Sequence, residues 1–289
     1  EAGITWKNAP GCNAVSVAQY VLSSLIVIGL RRNEPLQGKT IGIIGVGHVG
    51  KELEKLCTAY GMRILRNDPP RAEAEGETGF VSLKTIAEEA DIISFHTPLT
   101  KEGPYATRHL ADEDFFNKTC KKPWIVNASR GAVHDTMALI EALKSGKISE
   151  AVIDCWENEP AIDRELLSLA AIATPHIAGF SADGKANGTR TCLENIERFF
   201  GLHIEKLNEV VPPDPADPVI DLAEVTEHRI EHAIFRSFDP LVVDKALRDT
   251  PERFEWFRAN YSHPREFAAY KVKNTTDKER MLLNKLGFR

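Results

Sequence analysis

The chain has 289 residues, 43% hydrophobic and 27% charged, with a formal net charge of -6 and a pI near 5.9. That size and balance predict an ordinary water-soluble globular protein with core enough for two compact units. The acidic surplus excludes a nucleic-acid surface, which depends on clustered Lys and Arg, and leaves small-molecule chemistry as the expectation.

In chain order, residues 15–30 predict a helix, ended by Arg31-Arg32-Asn33-Glu34-Pro35. Its apolar run is too short to span a bilayer and lacks the flanks of a leader, so it reads as a buried helix and no membrane partner is expected. Strand and helix signals then alternate: a strand at 41–44, a helix at 48–60, a strand at 62–66, a helix at 83–90 and strands at 91–96 and 124–126. After these come a helix at 135–145, a strand at 151–153, a short strand at 171–173 and a long helix at 182–200. This alternation predicts a doubly wound α/β domain around a parallel sheet. Prolines 212, 213, 215 and 218 then mark residues 211–218 as a linker. Beyond it, helices at 225–233, 240–248 and 277–286 and a strand at 268–272 predict a small α+β unit over 219–289.

The most specific feature lies at the end of the first strand, where Gly45-Val46-Gly47-His48-Val49-Gly50 opens the next helix. Gly45 permits a sharp turn, Gly47 a close approach of backbone to a pyrophosphate, and Gly50 tight contact of helix on strand. His48 and Val49 begin the helix whose unpaired N–H groups and dipole attract phosphate. Asp68, at the end of the second strand, completes a dinucleotide fingerprint: its carboxylate accepts from ribose hydroxyls and repels a 2′-phosphate, which favours NAD. Arg66 and Arg71 are the nearby cations that compete with that reading.

Arg130, Glu159 and His176 stand where predicted strand ends meet loops, the edge at which open α/β sheets bind ligands. A histidine beside a carboxylate has its protonated form stabilised and works as an acid/base group near neutral pH. The planar fork of arginine suits a substrate carboxylate. Any one of the three alone reads as a surface ion pair or a structural turn; behind a dinucleotide fingerprint the set points to catalysis.

The five cysteines, Cys12, Cys57, Cys120, Cys155 and Cys192, are scattered without a CxxC pair, so neither disulfides nor a zinc site is expected, in keeping with a reducing cytoplasm. His228, Glu231 and His232 match an HxxEH pattern, but no third ligand is evident and the set reads as a solvated helix face. Cys155 has no general base in a recognisable arrangement beside it and reads as packed. No metal is expected.

Gly45–Gly50, His96-Thr97-Pro98-Leu99-Thr100, Asn127-Ala128-Ser129-Arg130-Gly131, Glu159-Pro160 and Thr174-Pro175-His176 together resemble the D-isomer-specific 2-hydroxyacid dehydrogenases over roughly the first two hundred residues. The resemblance implies a Rossmann-type NAD domain at 31–182, closed by a helix at 183–210, and the catalytic set Arg130, Glu159 and His176. Glu159, immediately before proline, is the implied partner of the histidine rather than Glu157. It also implies NAD contacts at Asp68, Thr97, Asp154 and Gly179. Phe180 stands where a substrate-touching tyrosine is common, so one hydrogen bond is expected to be absent.

Pro10-Gly11-Cys12-Asn13-Ala14, Asp68-Pro69-Pro70-Arg71, residues 176–189 and the segment after the linker resemble the branch of the family that oxidises a small phosphorylated 2-hydroxy acid. In that branch the C-terminal unit makes a homodimer. The resemblance further implies an N-terminal substrate-binding lobe, of which residues 1–30 carry the hinge and a remnant; a fragment and a reduced lobe are both open. Rival readings are a dehydrogenase of glycerate or phosphoglycerate type and a non-catalytic NAD-sensing corepressor of related fold.

Overall fold

The computed structural model, which describes residues 3–289, is built around six strands. Strands β1 (Thr40–Ile44), β2 (Arg63–Asn67), β3 (Ile92–Phe95), β4 (Trp124–Asn127), β5 (Glu150–Ile153) and β6 (Ile172–Ala173) are parallel, in the order β2-β1-β3-β4-β5-β6. Of these, β1, β3 and β4 are fully buried runs, the mark of strands covered on both faces. The order reverses between β1 and β3, so the chain leaves their carboxyl ends in opposite directions and a crevice opens there. Around the sheet lie α1 (Ala14–Arg32), α2 (His48–Ala59), α3 (Pro69–Glu75), α4 (Leu83–Glu89), α5 (Glu113–Asn117), α6 (Thr136–Lys144), α7 (Arg164–Leu169) and α8 (Ala182–Phe200). Ile41, Ile43, Val126 and Val152 join one core with Leu25 of α1 and Leu53 of α2. Ile44, Ile93, Ile125 and Ile153 join the other with Ile86 of α4, Leu139 of α6 and Leu166 of α7.

The buried helix expected at 15–30 is α1, but contrary to expectation it is longer than the apolar run and not too short to span a bilayer: its 19 residues match a membrane span in length and apolarity, and 83% of its apolar window is enclosed by the protein. The helices α3, α5 and α7 lie outside the sequence expectations. They have 7, 5 and 6 residues, too few to display a helical period, and their signals are aspartate N-caps, Asp68, Asp112 and Asp163, each accepting an amide of the first turn.

After the linker come β7 (Val219–Asp221), α9 (Arg229–Ser237), α10 (Pro240–Asp249), α11 (Phe254–Ala259), β8 (Lys271–Lys273) and α12 (Asp277–Leu286), with β7 and β8 paired in parallel. Two boundaries differ from expectation. The helix expected at 225–233 starts at Arg229, because His228 takes a left-handed φ of 49°. The strand expected at 268–272 is a 3-10 turn at Phe267–Ala269 followed by the short β8.

Residues 219–289 share their core with the sheet domain. Ile220, Ile234, Phe267 and Leu283 belong to the cluster around α1, and Leu247 and Phe254 to the opposite one. The polar seams are specific: Asp244 of α10 accepts the Ala173 amide at 2.7 Å, and Arg248 donates to the carbonyls of Leu167 and Ala170 at 2.5 and 2.7 Å. Where the segment meets α8, Arg265 pairs with Asp183 at 2.9 Å, and buried Glu266 accepts from the Ser181 hydroxyl at 2.8 Å.

Burial pushes the Glu266 carboxyl up from 4.5 to about 7, against the opposing Ser181 hydrogen bond. Between those pH values the unfolded chain has lost this proton and the folded chain keeps it, so stability falls as pH rises through that window. Glu266→Gln retains the acceptor for Ser181 and removes the titration. It is expected to stabilise the protein at pH 8 by on the order of 1–3 kcal/mol, and to flatten the urea midpoint between about pH 4.5 and pH 7. Parallel wild-type and variant midpoints across that range would count against this account.

Candidate active site

At the carboxyl end of β1 the chain turns at Gly45, whose φ is +87° and whose missing Cβ would lie 2.7 Å from the His96 backbone. A Cβ on Gly50 would lie 2.3 Å from the Gly45 carbonyl oxygen, so only glycine lets α2 approach β1 this closely. Gly47 is the opposite case: a Cβ there meets nothing within 4 Å. It caps α2 without a side-chain hydrogen bond, which leaves the first amides of the helix, from His48 and Val49 onward, directed at open space.

Asp68 stands at the end of β2, its carboxylate accepting from the Val46 amide at 2.8 Å and the Arg71 amide at 3.2 Å. Both nearby arginines are engaged. Arg66 holds the two oxygens of Glu54, and Arg71 those of Glu75 while donating to the Val46 carbonyl. Neither is a free clamp for a 2′-phosphate. A cleft of about 800 Å³ runs from Gly45 past Asp68, Pro69 and Val81 to Thr97 and Pro98. Thr97 contributes a buried hydroxyl with no hydrogen-bond partner. An acidic residue at the end of β2, an open helix start and, among the described residues, an orphaned hydroxyl fit a dinucleotide laid across the strand ends.

Of the ionisable set, His176 and Glu159 are brought into direct contact. His176 follows β6 with φ 57°, and its Nδ1 lies 2.8 and 3.1 Å from the two carboxylate oxygens of Glu159. The Trp156 amide donates to Glu159 at 2.8 Å and fixes that carboxylate from behind. Glu157 is engaged elsewhere, with His109 at 2.7 Å and with the amide and hydroxyl of Thr136. Arg130 is exposed at the end of the loop after β4, its Nη1 donating to the Ser129 carbonyl at 2.6 Å. Asn127 shapes that loop, donating to the Arg130 carbonyl and accepting from Ser129.

Asp154 is 1% exposed and turned inward. It accepts from the Thr174 hydroxyl at 2.6 Å and from the amides of Ile177 and Ala178 at 2.8 and 3.0 Å, and so braces the loop that carries His176. Burial raises its carboxyl, against these hydrogen bonds and the charge of His176. A carboxylate offers about four acceptor positions, and the Cys155 thiol, 4.0 Å away, is a fourth donor.

Gly179 has its own constraint, since a Cβ there would meet the Asn13 amide nitrogen at 2.4 Å. The Pro10–Ala14 segment lies between α2 and α8: a Cβ on Gly11 would strike the His48 ring at 2.7 Å, and one on Gly184 would approach Asn13 at 3.3 Å. Phe180 is half-buried, with Lys185 Nζ 5.5 Å and the Arg258 guanidinium 5.7 Å from its ring centre.

Several site-shaping groups escaped the sequence reading. Tyr20 on α1 shares a 2.7 Å hydrogen bond with Thr174, and Trp156 Nε1 donates to the Thr174 carbonyl at 2.9 Å. His134, fully buried and pushed down to about 4, faces Asn127 at 2.7 Å. None belongs to a motif with local spacing, and only the fold brings them in. Cys155 is buried as expected, and its Sγ lies within 4.8 Å of ligand atoms of Glu159 and His176. Burial raises its thiol well above the usual range, which keeps it protonated. In the HxxEH segment, Glu231 accepts from the Tyr60 hydroxyl.

A family model described as "D-isomer specific 2-hydroxyacid dehydrogenase, NAD binding domain" matches residues 29–178. The chain is similar to the erythronate-4-phosphate dehydrogenase of Porphyromonas gingivalis, 54% identical over 287 residues that cover 99% of this chain and 78% of that protein. The enzyme of the same name from Edwardsiella ictaluri is 41% identical over 298 residues, covering 100% and 78%. Among solved structures, apo D-mandelate dehydrogenase from Rhodotorula graminis superposes with TM-score 0.60 at 27% identity, covering 74% of this chain and 69% of that one. D-lactate dehydrogenase from Aquifex aeolicus, complexed with NAD and lactic acid, gives TM-score 0.53 at 27% identity, covering 64% and 66%.

With Asp68 at the end of β2 and Arg66 and Arg71 both paired, fluorescence titration is expected to show NADH binding at least roughly tenfold more tightly than NADPH, with Asp68→Asn narrowing the gap. Equal affinities in the unmutated protein would contradict the assignment.

Proposed function

Because the chain belongs to the D-isomer specific 2-hydroxyacid dehydrogenase family, we propose that it oxidises the C2 hydroxyl of 4-phospho-D-erythronate to 2-oxo-3-hydroxy-4-phosphobutanoate, a step of pyridoxal phosphate biosynthesis. The observation that carries this reading is the pairing of His176 Nδ1 with Glu159 at 2.8 Å beside the dinucleotide cleft. It is supported by the shared name of relatives 39–54% identical over nearly the whole chain.

Bound NAD supplies the hydride acceptor for C2. The rest is the work of the chain. With Nδ1–H donated to Glu159, the Nε2 of neutral His176 is the free acceptor, and it removes the C2 hydroxyl proton. Glu159 then holds the imidazolium by a charge-assisted hydrogen bond. Arg130 binds the C1 carboxylate and draws charge from the C2 oxygen. In the reverse direction His176 returns the proton. Gly45, Gly47, His48, Val49 and Gly50 would hold the pyrophosphate, Asp68 the ribose, and Thr97, Asp154 and Gly179 the nicotinamide end. Phe180 would offer the substrate a ring face without a hydroxyl.

We also propose a homodimer through residues 219–289, whose Val242, Trp256 and Met281 are exposed at 68%, 50% and 62%, and a cytoplasmic setting, in keeping with five free cysteines.

His176→Ala is expected to lower kcat by roughly 10²- to 10⁴-fold while NADH binding persists. Glu159→Gln should lower kcat with little change in KM, whereas Glu157→Gln should act on stability. Arg130→Lys keeps the charge, loses the fork and should raise KM as well as lower kcat. Steady-state assays of the full chain over phosphorylated and unphosphorylated 2-hydroxy acids test the set: wild-type turnover in His176→Ala would overturn the mechanism, and preference for glycerate would overturn the substrate. Light scattering is expected to return a dimer of 32.1 kDa subunits; a monomer mass would refute the assembly.

A further inference from the structure

Helices α8 and α11 and the loop from α11 into β8 gather a second set of polar side chains around Phe180. Arg258, at the end of α11, lies 5.7 Å from the centre of the Phe180 ring, and Lys185 of α8 lies 5.5 Å from the same ring. The His263 ring lies tilted against it, with centroids 5.9 Å apart. Phe180 is four residues past His176, so this cluster borders the group assigned to proton transfer.

Arg258 is unlike Arg248 and Arg265 of the same segment. Arg248 and Arg265 are held by Asp244 and Asp183, whereas Arg258 has no carboxylate partner among the described residues, and its Nε is buried with no hydrogen-bond acceptor. A buried guanidinium N–H left unpaired costs free energy unless a ligand supplies the acceptor. The charges of Arg130 and Arg258 both act on the buried Cys155 thiol, which lies against Glu159 and His176, so both guanidinium groups lie near the same reacting centre. Tyr261 adds a phenol that burial, reinforced by the Asp154 charge, keeps protonated and able to donate.

We propose that Arg258, supported by Lys185, His263 and Tyr261, binds the phosphate monoester of the substrate. The assignment rests on the substrate reading above, in which Arg130 takes the carboxylate at one end of a four-carbon chain. The other end carries a near-dianion and needs a separate cationic pocket, for which a guanidinium fork is well suited. Phe180 then has a positive role: its bare ring face holds the Arg258 and Lys185 cations by cation–π attraction, in place of a hydroxyl bonded to substrate. The C-terminal segment thereby completes the substrate site and sets its preference for phosphorylated acids.

Two measurements on the intact, NADH-loaded protein test this. Calorimetric titration with inorganic phosphate should show saturable binding that Arg258→Gln weakens roughly 10- to 100-fold, the effect of losing one charge-assisted partner, with Arg258→Lys intermediate and NADH affinity retained in both. In steady state, the ratio of kcat/KM for 4-phospho-D-erythronate to that for D-erythronate should fall by a similar factor in Arg258→Gln. Absence of saturable phosphate binding, binding unaltered by Arg258→Gln, or equal loss toward both substrates would overturn the proposal. If neither acid is turned over yet phosphate binding still depends on Arg258, the phosphate site stands and the substrate reading fails.

Discussion

Asp154 puts a carboxylate in the interior at the carboxyl end of β5, and the loop after β6 is wrapped around it. A buried carboxylate is tolerable only with its acceptor positions met, and here the donors are the Thr174 hydroxyl and the amides of Ile177 and Ala178. These groups flank His176. The residue is held at a positive φ that a non-glycine side chain adopts only when its surroundings dictate it. Its imidazole is thereby turned onto Glu159, whose carboxylate is fixed in turn by the Trp156 amide. Tyr20 extends the same chain of hydrogen bonds into α1 through Thr174, so the His176–Glu159 pair is anchored in a long buried helix.

Around this anchor, close backbone approach does what side chains cannot. Gly45 and Gly50 let α2 start against β1, Gly179 makes room for Asn13, and Gly184 brings α8 against the Pro10–Ala14 segment. The cofactor cleft and the His176 loop are therefore built on one rigid block. The C-terminal segment is part of that block: it contributes Ile234 and Phe267 to one core and Leu247 and Phe254 to the other. A segment that shares both cores keeps constant register with the sheet, as the placement of Arg258 over Phe180 requires.

The boundary of what local pattern reveals is visible in particular residues. The parallel sheet was legible because β1, β3 and β4 are buried at every position and carry no polar alternation. The short helices α3, α5 and α7 were not, because their stability comes from an aspartate cap and from packing rather than from a period. Arg130, Glu159 and His176 stood out as ionisable groups at strand ends. Arg258 did not: in sequence it is one more arginine on a helix in a charged segment, and its isolation from carboxylates is a property of its neighbours in space.

By itself, the sequence determined the doubly wound α/β class, the dinucleotide turn and the identity of the acid/base candidates, since each rests on short-range chemistry: strand composition, glycine at obligatory turns, and charged residues where strands end. Tertiary structure alone decided the distance at which Glu159 meets His176, that Arg66 and Arg71 are neutralised by Glu54 and Glu75, and that residues 219–289 merge into the cores of the sheet domain. Those outcomes depend on distances between residues far apart along the chain, and only burial of a shared apolar surface, with its polar groups paired, sets such distances.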